Sequence, residues 1–309
     1  MLHDMSTAPS GTAVRIRGTH HSVGHHGEIL QGVFESDGRL RRALITLPCP
    51  LYESHAVFEP SDTSTGVTVL DPWRTKAARA AELALRTLGG ALTGGTLGLT
   101  SNIPPGRGFG SSTADVVAAI GAVYDAAGRR PSPAQYAALA VAAETASDAL
   151  MYAHRAVLFA HREGEVIEEL GGPLMPVAVV GFGTSEDSAG TDTLALPPAR
   201  YSVWEIEAFR PLLGAARRAV RTGDVALLGR VATASARLNQ RHLPVPGLPD
   251  LLRVTEAVGA AGLQVAHSGD VAGLLFDPDL PDLATRTDDA RKRLADLGIG
   301  DSWYFTTKN

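Results

Sequence analysis

Residues 104–114 read Pro-Pro-Gly-Arg-Gly-Phe-Gly-Ser-Ser-Thr-Ala and run straight into Asp-Val-Val-Ala-Ala-Ile-Gly. Glycines at alternate positions, Gly106, Gly108 and Gly110, let a loop take backbone angles closed to other residues and let a ligand approach bare main chain. Ser111 or Ser112 is expected to cap a helix whose apolar face is marked by Val116, Ile120, Val123 and Tyr124. The open amide groups of that helix's first turn, together with its dipole, make a site for an anion such as a di- or triphosphate. A tight structural loop uses the same glycines. What favours a phosphate site is the company they keep: a short strand over residues 95–102, the Pro-Pro step, the paired serines and the helix of small residues.

The commoner nucleotide motifs do not fit this loop. No Gly-Lys dipeptide occurs anywhere, which excludes the P-loop, and Ser111 stands where G-x-G-x-x-G needs its third glycine. His161-Arg-Glu is not a protein-kinase catalytic loop, since no Asp follows and D-F-G is absent.

The chain of 309 residues is long enough for two modest domains sharing a cleft. Its 28 basic and 33 acidic residues give a net charge of −5, which supports neither a nucleic-acid nor an anionic-membrane partner. The single cysteine, Cys49, can form no internal disulfide and reads as packing in a reducing, cytoplasmic setting. No long apolar run and no signal-peptide core is present, and residues 1–11 read as a loose tail.

The loop resembles the second motif of the GHMP kinases, usually written P-x-x-x-G-L-G-S-S-A, with Phe109 for Leu and Thr113 for Ala. Gly24-His-His-Gly-Glu-Ile-Leu-Gln-Gly32 is similar to the first motif in the branch that contains the L-threonine kinases of cobalamin synthesis and propanediol utilisation. Glu144, Ser147, Asp148 and Met151 match that branch's acidic segment, although Thr145 stands in place of a Pro. Leu263-Gln-Val-Ala-His-Ser-Gly-Asp270 resembles its third motif, with Asp270 departing from the usual small residue.

This resemblance implies a two-domain α+β fold: a ribosomal protein S5 domain 2-like ATP-binding domain over 12–171 and a ferredoxin-like α/β-plait domain over 172–309. It implies ATP and Mg²⁺ as cofactors, with phosphoryl transfer to a small hydroxylated amino acid such as L-threonine. L-homoserine, L-serine and a non-catalytic nucleotide-binding role remain alternatives. By the same resemblance Pro105, Gly106, Arg107, Gly108, Phe109, Gly110, Ser111, Ser112 and Thr113 would hold the nucleotide. Ser112 and Glu144 would hold the metal, Asp148 would act on the acceptor hydroxyl, and Glu28, Gln31, His267, Ser268 and Gly269 would border the acceptor. A homodimer is compatible with it. Asp270 is expected to repel a phosphate placed beside it.

Read from the residues alone, His21 and His25 are four apart, but the glycines around them argue against a helix and no H-E-x-x-H occurs. A surface turn with a solvated Glu28 remains an alternative to a cleft position, and two solvated acids at a helix end remain one for Glu144 and Asp148. Strands are expected at 13–17, in short runs between residues 41 and 58, and at 66–70, 157–160, 165–170, 176–182 and 303–307, with two more joined by a turn within 263–276. Helices are expected at 75–88, 133–146, 204–221, 224–240, 249–261 and 282–297. Gly171-Gly-Pro173 is the candidate boundary, and the polar stretch 183–192 is a candidate border of the acceptor pocket.

Overall fold

Two long antiparallel strands, β1 (Gly18–Ser36) and β2 (Arg39–Pro60), form the spine of the molecule. The computed structural model describes residues 16–184, 200–266 and 270–308. Asp37 and Gly38 join the spine strands with φ of 54° and 69°, the left-handed pair that a two-residue hairpin requires.

The sequence-based reading needs two corrections here. The first strand begins at Gly18, beyond the expected 13–17, and residues 13–15 lie outside the described residues. It then runs through the histidine- and glycine-rich stretch that was open to a surface-turn reading. Three register shifts between Val23 and Leu30 accommodate that stretch, so the strand bends without leaving the sheet. Pro50 likewise leaves β2 unbroken.

Next come β3 (Gly66–Val69), α1 (Thr75–Thr87) and β4 (Gly94–Ser101), a crossover that joins the parallel pair β3 and β4. After them α2 (Ser111–Ala126) and α3 (Pro133–Glu144) cover one face, and β5 (Val157–Ala160) and β6 (Glu165–Glu169) form a hairpin against β2. Asp115 braces the start of α2: its carboxylate accepts from Ser54 Oγ at 2.5 Å and pairs with Arg74. Tyr136, with Ala137 and Leu139, sits on α3, which opens on a Ser132–Gln135 capping box.

The second half contains β7 (Ala178–Gly183), α4 (Val203–Thr222), α5 (Val225–Asn239), α6 (Leu248–Ala257), β8 (Gly262–Val265), β9 (Val271–Phe276), α7 (Leu283–Asp296) and β10 (Ser302–Thr306). Its strands lie in the order β10-β7-β9-β8, all antiparallel, as expected for a plait. The β8 strand meets β1 at Glu28 and Val265, so one ten-stranded sheet runs through both halves.

The core crosses the Gly171–Pro173 turn as well. Ile29, Leu30 and Phe34 of β1 pack in one cluster with Val177, Phe209, Leu228 and Phe305, and Cys49 is buried among them. Among the described residues no helix is long and apolar enough to cross a membrane.

Candidate active site

Gly110 decides the local geometry of the glycine loop. It is the N-cap of α2 at φ 71°, and no side chain caps the helix. Gly106 and Gly108 are left-handed too, at φ 75° and 93°. Neither serine is the cap, contrary to the expectation from sequence, because Ser111 is already helical. The cause is steric: a Cβ on Gly110 would lie 2.2 Å from Cδ2 of His25, so only glycine fits at the cap. The amide groups of the first turn therefore stay open to an anion, and the hydroxyls that follow bond elsewhere.

Those hydroxyls reach two carboxylates. Ser112 Oγ donates to Glu144 Oε2 at 2.8 Å, and Thr113 Oγ1 lies 2.9 Å from Glu144 Oε1 and 3.4 Å from Asp148 Oδ2. Glu144 closes α3 and is followed by Thr145 at φ 74°, a rare conformation for a β-branched residue. This reversal, with Ser147 N–H donating to the His161 carbonyl at 2.9 Å, turns the chain so that Asp148 also faces α2. Solvated acids at a helix end are thereby ruled out, since Glu144 is buried and Asp148 is mostly so.

The two carboxylates have opposite electrostatics. Burial pushes Glu144 up to about 7, only partly offset by the bonds from Ser112 and Thr113. Asp148 is also desolvated, yet the adjacent His25 more than compensates and holds it below the usual carboxylate range.

His25 Nε2 lies 2.9 Å from Asp148 Oδ2, with the ring fully buried. Burial opposes its charge, but Asp148 prevails and raises it to about 9. Its other nitrogen, Nδ1, accepts the Gly27 N–H at 2.9 Å. That bond selects the tautomer with the hydrogen on Nε2, facing Asp148; a second proton on Nδ1 requires the Gly27 bond to break.

His25, Glu28 and Asp148 each bring a ligand atom within 4.8 Å of one another. With its hydrogen on Nε2, however, His25 offers no lone pair toward Asp148, so the trio reads as a close polar contact rather than a metal centre. The hard oxygen donors of Ser112 and Glu144 suit Mg²⁺ better, and a carboxyl raised by burial is one that a nearby cation would ionise.

The other candidates from sequence fall in several places. Glu28 is buried on β1 beside this set, so a solvated surface turn is excluded for it. Gln31 sits further along the strand, its backbone bonded to Ser235 and Asn239 of α5. Phe109 is buried, and its carbonyl accepts from His25 N–H at 2.9 Å. Arg107 turns toward the second half, with Nε 3.2 Å from Asp270 Oδ1. Asp270, expected to repel a phosphate beside it, is thus paired through one carboxylate oxygen with Arg107 of the loop itself. His267, Ser268 and Gly269, and residues 185–192 of the polar stretch, lie outside the described residues.

Sequence reasoning missed His25. Its position in the first motif was visible, but its contact with Asp148 depends on a strand and a loop meeting in space.

A family model described as GHMP kinases N terminal domain matches residues 75–154, and one described as GHMP kinases C terminal matches residues 216–291. An L-threonine kinase of Salmonella typhimurium is 30% identical over 184 residues, 60% of this chain and 60% of that protein. One from Citrobacter freundii is 29% identical over 188 residues, 59% of this chain and 62% of that protein. The chain thus matches about 60% of the length of these curated relatives. Among solved structures, a homoserine kinase from Cytophaga hutchinsonii superposes with a TM-score of 0.67 at 18% identity, covering 97% of this chain and 96% of that one. The Streptococcus pneumoniae phosphomevalonate kinase gives 0.69 at 14% identity, covering 94% and 98%. At these identities the structural likeness speaks for the fold.

Proposed function

The chain belongs to the GHMP kinases, and from that premise we propose that it transfers the γ-phosphoryl group of ATP to the hydroxyl of a small hydroxylated amino acid, with L-threonine as the first candidate. The observation that carries this reading is the position of Thr113, whose hydroxyl lies within hydrogen-bonding range of both Glu144 and Asp148 at the open N-terminus of α2. A phosphate-binding helix end and two carboxylates with different electrostatics then meet at one point.

In this reading the backbone from Gly106 to Ser112 cradles the phosphates, and Ser112 and Glu144 hold Mg²⁺. Bound there, the cation would neutralise phosphate charge. Asp148 orients the acceptor hydroxyl and takes its proton as the oxygen bonds to the γ-phosphorus and the bond to the β-phosphate bridging oxygen breaks, releasing ADP. A carboxylate held below its usual range is a weak base. It suits a loose transition state in which the proton leaves late, so orientation is its larger contribution. His25 holds that carboxylate in place. The division into a nucleotide part over 12–171 and a C-terminal part over 172–309 belongs to the same proposal.

The test is ADP release from Mg·ATP with L-threonine, L-serine and L-homoserine offered separately. Turnover highest on L-threonine is expected. Higher turnover on L-homoserine or L-serine would transfer the assignment to that acceptor, and ATP binding without turnover on any of them would overturn the kinase reading.

A further inference from the structure

His25 and His26 are consecutive on β1, yet their side chains enter different networks. The first meets Asp148. The second is buried in a different network, with His26 Nδ1 2.8 Å from Gln264 Oε1 and Trp303 Nε1–H donating to His26 Nε2 at 3.2 Å. Since the indole can only donate, Nε2 accepts, the hydrogen is on Nδ1, and Gln264 accepts from it. Each polar atom of the ring thus has one defined partner.

Around this bond the rings of His26 and Trp303 pack on Phe109 of the glycine loop, with centroids 5.6 Å and 5.4 Å away, and Tyr52 adds an edge contact at 4.8 Å. The Phe109 carbonyl is fixed in turn by His25 N–H. The loop is therefore gripped through Phe109 by a side chain from the last strand, β10, although the residues expected to do chemistry lie in the first half.

We propose that Trp303 and His26 are positioning residues that fix the glycine loop through Phe109, so that β10 sets the order of the phosphate cradle before nucleotide binds. Neither touches a reacting atom. The proposal rests on the kinase reading for its consequence in turnover, and on geometry alone for its consequence in loop order.

The experiment uses the full chain with Trp303→Phe, which keeps a ring and removes the donor, and Trp303→Leu, which removes both. Hydrogen exchange across residues 106–113 is followed by mass spectrometry in the nucleotide-free protein, alongside KM for Mg·ATP and kcat. Loop exchange should quicken selectively, more in Leu than in Phe, while β7 and β9 stay protected. Loss of one neutral hydrogen bond in Trp303→Phe should raise KM for Mg·ATP about fivefold with kcat little changed. Unchanged loop exchange in both variants would overturn the proposal. Equal acceleration across β7, β9 and the loop would overturn it too, because Trp303 would then be only a core residue. If the wild type transfers no phosphate to any acceptor, the kinase reading fails and the exchange result still decides this one.

Discussion

The glycine loop has two flanks, held by different forces. On the side of Ser112 and Thr113 the contacts are charged and hydrogen-bonded: two hydroxyls, two carboxylates and an imidazole with a fixed tautomer. On the side of Arg107 and Phe109 the contacts are ion pairs from Arg107 to Asp270 and Asp301 and an aromatic packing of Phe109 against His26, Tyr52 and Trp303. Directional bonds fix protons and charges to particular atoms, whereas packing fixes where the backbone lies. In the proposed reaction the first flank acts on the reacting group, and the second keeps the cradle in place.

Changes on the first flank should therefore act on kcat and on pH dependence. Asp148→Asn should cost about 10²–10⁴ in kcat with little change in KM for Mg·ATP, which steady-state kinetics on the best acceptor will show. An unchanged kcat would break the distinction at its centre. His25→Gln replaces the imidazole beside Asp148 with an amide, and about a tenfold loss in kcat is expected from the lost contact to that carboxylate. The Asp148 carboxyl, released from the imidazole that holds it down, should then titrate at higher pH, which carbon-13 NMR of aspartate carboxyls can follow. No movement of that resonance would show that His25 does not control it.

Glu144 allows a thermodynamic check on the metal-free protein. Its folded value of about 7 lies above the ordinary 4.5, so the folded state keeps a proton that the unfolded chain gives up between those pH values. Stability from this group is accordingly present below about 4.5 and is lost as pH rises through about 7. The span corresponds to roughly 3 kcal/mol, and Glu144→Gln should flatten the slope in denaturant titrations taken from pH 5 to 8. An identical slope in that variant would place the titration on another group.

The smallest effect on catalysis is expected on the second flank. Arg107→Ala leaves the buried Asp270 carboxylate without this partner, which should lower stability by about 3 kcal/mol in denaturant titrations, while KM for Mg·ATP in steady-state kinetics should change about fivefold or less. A large loss of kcat there would mean that Arg107 reaches the transferred phosphate, and the two flanks would no longer differ in kind.

Parts of this site could be read locally. Gly106, Gly108 and Gly110 signal a left-handed loop before a helix because glycine tolerates positive φ, a property of single residues. Ser112, Glu144 and Asp148 were marked by their motifs, and the structure brings them together. The helix cap could not be assigned in that way. Ser111 and Ser112 are good capping residues, but the His25 ring lies where a Cβ on residue 110 would be, and that contact joins distant parts of the chain.

By itself, then, the sequence determined the glycine loop, most of the helices and strands, the α+β class and the family resemblance, since each depends on spacing along the chain or on one residue's backbone preference. Only the tertiary structure decided that β1 runs unbroken through the histidines, that Thr145 turns Asp148 toward Thr113, and that His25 and His26 enter different networks. Those outcomes depend on pairs such as His26 and Trp303, 277 residues apart, whose meeting is fixed by how the two halves of the sheet join. Short-range preferences carry no information about such a meeting; packing does.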